Sequence, residues 1–427
     1  MKLCLYFLAS LFVVFTSCKN PKSNTNPTEN SSHIINESVV KSIDSTLQSY
    51  TEAGQVAGVS ALIFEKGNEV YSNAFGYSDR EAKTPMDRHT IAIIYSMTKP
   101  ITGIALMQLY EKGLFKLDDT LSNYLPEFKN MEVYTGIDSE DNILVEPLKK
   151  PITIRDITRH TAGFINNTNV PVLGKKYKEL NTRRKELTLT EQAEILGSMP
   201  LWFQPGEKWE YGISVDIQAL LVERLSGQAF EAYIKEHIFN PLGMQETRYF
   251  VPESDRDRLA ATYVLSNSGL NRAPDEDALA FNTNHWPLTP GGWGLTSTLD
   301  DYMRFARMLV NEGTLEGTTI LKPETVKLMA TNHLPDSIKE RSWLPSKGQV
   351  GFGIDFAVRV QPPANAEENN GVVGEFFWDG AASTLFWVDP VNELTAVLFV
   401  QLFPYDPIGL HKNFRDAVYG KAIFDKN

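Results

Sequence analysis

Residues Ile93 to Gly103 read IIYSMTKPITG, a serine three positions before a lysine, with a proline directly after the lysine. Serine is a favoured helix N-cap, and on that reading Lys99 is an ordinary solvated residue of the first turn. The alternative makes Ser96 a nucleophile. Three positions along a helix is nearly one turn on the same face, so the two side chains can meet. To take the serine proton Lys99 must be neutral, far below the value of about 10.4 for a free lysine, which burial and nearby positive charge achieve. A place at the helix N-terminus also leaves the Ser96 N–H free for a developing oxyanion. The helix reads from Ser96 to Glu111, buried by Ile101, Ile104, Ala105, Met107 and Leu109 and stopped by Gly113. Pro100 is tolerated there because first-turn N–H groups have no helical partner.

Outward from this helix the chain alternates in kind. On the N-terminal side, VAGVSALIFEKGNEVYSNAFGYSD (56–79) gives two apolar runs around KGNE, a β-hairpin signal, preceded by a helical pattern through Val39, Ile43 and Leu47. Towards the C-terminus, VGFGIDFAVRV, ASTLFWVDP and LTAVLFVQLF are short, β-rich and bounded by turns. The middle is mostly helix and loop. Strands at both ends with helices between predict an α/β fold of α+β type. One sheet is built from about 36–95 and 290–427, with a helical insertion over about 96–289.

The 427 residues, 42% of them hydrophobic and 11% aromatic, supply ample core. A net charge of -12 with no basic block speaks against a nucleic-acid partner. The chain opens MKLCLYFLASLFVVFTSCKN, a lysine and a short apolar run ending in small residues, which reads as an export signal over 1–17. FTSC resembles the bacterial lipoprotein box, which implies lipidation of Cys18, a membrane anchor and a periplasmic or cell-surface location. Plain secretion is the alternative. Residues 18–35, rich in Asn, Ser and Pro, then form a flexible tether to a hydrolase domain over 36–427. With Cys4 inside the signal, Cys18 is the one cysteine left, so the fold gains nothing from disulfides.

A serine–lysine pair needs a third group to relay the proton. WEYGISVDIQALLVERLSG offers Tyr211, which alternatively is a core aromatic ahead of an amphipathic helix. It also needs a strand lining the cleft. FFWDGAASTLFWVDP offers Gly380 to Ala382, where a backbone can come close to a substrate, or simply a turn between strands.

With these residues in place, the chain resembles the serine β-lactamase-like, penicillin-recognising family. It is most similar to the branch of class C β-lactamases and family VIII carboxylesterases. Six ordered segments carry the resemblance: YSMTKPITGIALMQLYEKGLFKLDDTLSNYLPEF, ITIRDITRHTAGF, PGEKWEYGISVDIQALLVERLSG, PLGMQETRY, PGGWGLTSTLDDYMRFARMLVNEG and WDGAASTLFWVDP. It implies a β-lactamase/transpeptidase-like fold, an antiparallel sheet from both chain ends flanked by helices. It implies Ser96 as acylated nucleophile, Lys99 as its proton partner and Tyr211 as second base or acid. The N–H groups of Ser96 and Ala381 would form the oxyanion hole. Trp378, Asp379, Gly380, Ile213 and Trp293 would line the substrate site, and His160 would be structural.

Two departures bear on the substrate. Ile213 stands where β-lactamases carry an amide, and WDG replaces K-T-G, so the cation and hydroxyl that recognise a substrate carboxylate are absent. Asp379 is expected to repel that carboxylate if it points into the cleft; the alternative is that it turns outward and bonds a neighbouring loop. Small uncharged esters fit best, with β-lactamase, D-alanyl peptidase or amidase activity, or a non-catalytic penicillin-binding-like role, as alternatives. No G-x-S-x-G elbow, H-E-x-x-H pair or phosphate loop is present, so no metal or cofactor is expected.

Overall fold

The computed structural model describes residues 33–165 and 169–421. The hairpin forms as read: Gly58–Glu65 pairs antiparallel with Asn68–Asp79 across a turn at Lys66 and Gly67. Both turn residues have positive φ, 52° and 78°, the backbone twist that suits a two-residue hairpin. Gly58–Glu65 also pairs antiparallel with Leu394–Phe399, Ser60 opposite Phe399, which joins the two ends of the chain in one sheet.

That sheet has eight strands, in the order Val350–Phe352, Ala357–Arg359, Phe376–Asp379, Leu385–Asp389, Leu394–Phe399, Gly58–Glu65, Asn68–Asp79 and Thr84–Pro85. Leu385–Asp389 and Leu394–Phe399 are buried along their whole length, because helices cover both faces. Successive side chains point to opposite faces. Phe386 meets Tyr302 of helix Leu299–Val310 at 5.0 Å between ring centres, whereas Trp387 meets Phe414 of helix Leu410–Tyr419 at 5.3 Å. The N-terminal helix Glu37–Glu52 packs beside that last helix.

The first helix of the insertion runs Thr98–Glu111, buried over almost its whole circumference and packed on Ser214–Ser226. It starts two residues later than the sequence suggests. Ser96 lies in a separate short turn, Tyr95–Met97, because Tyr95 takes a left-handed φ of 45° that breaks the helical path. The insertion is not helical throughout: it holds the hairpin Glu132–Ile137/Ile143–Pro147, and strands Tyr263–Ser266 and Gly269–Arg272 join Leu402–Phe403.

Ile34 and Ile35 donate their N–H groups to the buried Glu65 carboxylate at 2.7 and 3.2 Å, so the last two positions of the expected tether belong to the folded unit. The export signal and Cys18 lie outside the described residues.

Candidate active site

Three segments far apart in sequence converge at Ser96. The first is its own turn. The left-handed Tyr95 presents the serine, and the turn is clamped from behind, where the Ile94 N–H meets the Leu295 carbonyl at 3.0 Å and the Tyr302 hydroxyl meets the Met97 carbonyl at 2.8 Å.

Lys99 follows in the first turn of the buried helix, and its Nζ stands 3.2 Å from Ser96 Oγ and 2.6 Å from the Gly292 carbonyl oxygen. The lysine is 4% exposed. Burial lowers its pKa from 10.5 to about 7, opposed first by the charge of Asp216. Asp216 accepts the Gly292 N–H at 2.7 Å, so a single residue of backbone separates acid from base. A Cβ at Gly292 would come within 3.0 Å of Asp216 Oδ1 and 3.2 Å of Lys99 Nζ, which accounts for the glycine. The Asp216 carboxyl is itself raised by burial.

The second segment carries Tyr211, just ahead of helix Ser214–Ser226. The Glu210 N–H binds the His160 carbonyl at 2.9 Å and fixes its approach. The Tyr211 hydroxyl is hydrogen-bonded to Ser96 and receives the Trp378 indole N–H at 3.2 Å. Burial raises its pKa above the usual 10, so the hydroxyl keeps its proton. The Lys99 amine lies over the tyrosine ring, 4.6 Å from its centre, and both groups contact Ser96. His160 is buried behind, its ring 4.8 Å from that of Tyr211, and burial followed by the Lys99 charge pushes its pKa well down. It packs as a neutral aromatic, as the sequence reading has it.

The third segment is strand Phe376–Asp379 and the turn after it. A Cβ on Gly380 would come within 2.6 Å of the Ile94 carbonyl oxygen and 2.2 Å of Thr384 Oγ1. The glycine therefore lets the turn close on the backbone just before Ser96, bringing Ala381 into the cavity wall beside the serine. This is the close approach expected of Gly380, but made to the chain itself.

Ser96, Tyr211, Trp378, Asp379 and Ala381 line one cavity of 440 Å³, a size that suits a small ligand. Ile213, Gly380 and Trp293 are not among its lining residues. Ile213 is 2% exposed within the core, because its backbone caps the helix after Tyr211 and turns the side chain inward. Trp293 packs on Phe281 with 4.6 Å between ring centres.

Trp343, Ser346, Lys347 and Tyr405 complete the wall, and the sequence reading missed all four. WLPSKG and FPYDP read as loops, with no period or motif to mark them. Lys347 bears on both readings of Asp379, which lines the cavity and yet bonds a neighbouring turn. Its buried ammonium forms an ion pair with the Asp379 carboxylate, and Tyr405 donates to the same oxygen at 2.8 Å. The acid is neutralised within the wall and does not present a bare negative charge to the cavity.

The arrangement provides a hydroxyl nucleophile, a buried amine near neutrality, a protonated phenol and a largely aromatic cavity, which together suit acyl transfer through a covalent intermediate.

Comparison with known proteins bears on the family and the fold. The Beta-lactamase family model matches residues 43–421. An uncharacterized protein of Mycobacterium tuberculosis is 31% identical over 373 residues, covering 84% of this chain and 89% of its own. A lovastatin esterase of Penicillium rubens is 28% identical over 406 residues, 89% of this chain and 98% of its own. Among solved structures, EstCE1, "a hydrolase with promiscuous acyltransferase activity", superposes with a TM-score of 0.73 at 25% identity, covering 90% of this chain and 99% of its own.

Proposed function

The chain belongs to the Beta-lactamase family and is a serine hydrolase of it, and from that premise we propose that it is a carboxylesterase acting on small uncharged esters through an acyl-enzyme at Ser96. The observation that carries the reading is the contact of 3.2 Å between Lys99 Nζ and Ser96 Oγ, made by an amine that burial brings to about 7. A near-neutral amine is free in useful amount at neutral pH and can take the serine proton as Oγ bonds to the ester carbonyl carbon. The Ser96 and Ala381 N–H groups receive the carbonyl oxygen as it gains charge. When the C–O bond to the alcohol breaks, the Tyr211 hydroxyl gives its proton to the leaving oxygen and regains one from Lys99. Water then adds to the acyl carbon, its proton passing back through the same pair, and Ser96 Oγ leaves as a hydroxyl.

The substrate class follows from the wall. Trp343 and Trp378 offer apolar faces, and the Lys347 charge is already answered by Asp379. Among the described residues that line the cavity, Lys347 is the one cation and it is already paired, so none there stands ready for the carboxylate of a penicillin. The name of the lovastatin esterase is consistent with this choice. Rates on nitrophenyl esters of increasing acyl length, measured beside a chromogenic cephalosporin, test it. We expect the esters to be faster by a large factor; a cephalosporin cleaved as fast as the best ester overturns the assignment.

The reading includes export and a lipid on Cys18, supported by the leader and the FTSC stretch. Metabolic labelling with a fatty-acid analogue should tag the wild-type chain, and Cys18→Ser should move it to the soluble fraction. Unlabelled, soluble wild-type protein points to plain secretion.

A further inference from the structure

Lys347 ends the short turn Leu344–Lys347, remote in sequence from every catalytic candidate, yet it stands in the wall of the same cavity as Ser96. Its ammonium donates to Asp379 Oδ2 and to the Tyr405 hydroxyl, and the Tyr405 O–H donates a hydrogen bond to that same carboxylate oxygen. A lysine ammonium has three N–H donors. Among the described residues it meets these two acceptors. Its further surroundings are aromatic, the Tyr405, Trp343 and Trp378 rings at 4.2, 5.4 and 5.8 Å from ring centre to ammonium. A ring face is a weaker partner for an ammonium N–H than an oxygen acceptor, so an occupant that supplies such an acceptor gains over one that is apolar throughout.

Charge narrows the choice of acceptor. Asp379 already balances Lys347, so a substrate carboxylate would leave one uncompensated negative charge beside the indole rings. A neutral carbonyl oxygen accepts the N–H and adds no charge.

We propose that Lys347 is a specificity-determining residue whose third N–H binds a neutral carbonyl oxygen of the substrate, separate from the ester that Ser96 attacks. The favoured substrates are then esters carrying a second, uncharged carbonyl, such as keto-esters. This rests on the carboxylesterase reading and refines it.

The test uses three esters of equal length: one apolar throughout, one with a ketone in the acyl arm and one with a ketone in the alcohol arm, each followed by pH-stat titration. In the wild-type protein one of the ketone esters should exceed the apolar ester about tenfold in kcat/KM, the range of a hydrogen bond to a charged group. Lys347→Met combined with Asp379→Asn removes the ammonium without stranding the carboxylate, and a melting curve checks its fold. In that double variant the ratio of ketone to apolar ester should fall to about one. A ratio within one protein cancels any general loss of activity, so a purely structural Lys347 would not move it. Wild-type ratios near one for both ketone esters overturn the proposal, whether or not the double variant folds, and so does a preference that survives in it. Absence of hydrolysis of all three esters is a different result, which removes the esterase reading and this refinement with it.

Discussion

Lys99 Nζ and Asp216 Oδ1 grip the two ends of a single residue, the lysine at the Gly292 carbonyl oxygen and the acid at its N–H, 2.6 and 2.7 Å away. Lys99, the proposed base, is thereby held in place by backbone, and its counter-charge is held at fixed range. Burial pulls the lysine towards the neutral form while Asp216 pulls it back.

The first consequence is a pH profile. The base works only when neutral, so activity is lost as pH falls and Lys99 gains its proton. With a pKa of about 7, kcat/KM should drop tenfold per pH unit below that value and level off above it. Initial rates on a neutral ester between pH 5 and 9 measure this; a limb centred above pH 9 would mean that Lys99 is an ordinary solvated lysine.

Asp216→Asn is expected to move that limb to lower pH. The amide oxygen can still accept the Gly292 N–H, but the negative charge favouring protonated Lys99 is gone. The shift should be about one unit. A limb that stays in place would show that the acid does not act on Lys99.

Tyr211→Phe keeps the ring among His160, Trp209 and Trp378 and removes only the hydroxyl. Turnover should fall about a hundredfold, the usual effect of losing a positioned acid or base, with little change in melting temperature. Trp378→Phe removes the indole N–H that points at the same hydroxyl and should cost less. A Tyr211→Phe protein that loses stability but keeps its rate would make the tyrosine a packing residue.

The Asp379–Lys347 pair predicts a stability pattern. Asp379→Asn leaves a buried ammonium without its counter-ion, a change that costs about 3 kcal/mol when one partner of a buried pair is lost. The double change with Lys347→Met should recover most of the lost melting temperature. Additive losses would mean that the two charges do not depend on each other.

These residues also show what the sequence could convey. That Ser96, Lys99 and Tyr211 meet was legible because each sits in a local pattern, the S-x-x-K spacing and the tyrosine before a helix. The sheet was legible because strands buried on both faces leave continuous apolar runs at the two ends of the chain. The partner of Asp379 was not, since Lys347 lies 32 residues earlier in a stretch with no pattern of its own. Ile213 misled for a related reason. A motif position fixes the backbone, but the core decides where an isoleucine side chain points, and here it points inward. Gly380 was rightly read as a place of close approach, but the approaching group is the Ile94 carbonyl.

The central claim is that Ser96 is an activated nucleophile, and a fluorophosphonate probe tests it most directly, because such a reagent bonds to a serine only when a neighbouring base takes its proton. After incubation with the full-length protein, peptide mass spectrometry should find one adduct, on the peptide carrying Ser96. The adduct should be absent from Ser96→Ala and strongly reduced in Lys99→Ala. A folded wild-type protein that takes up no probe, or takes it up on another residue, would contradict the account.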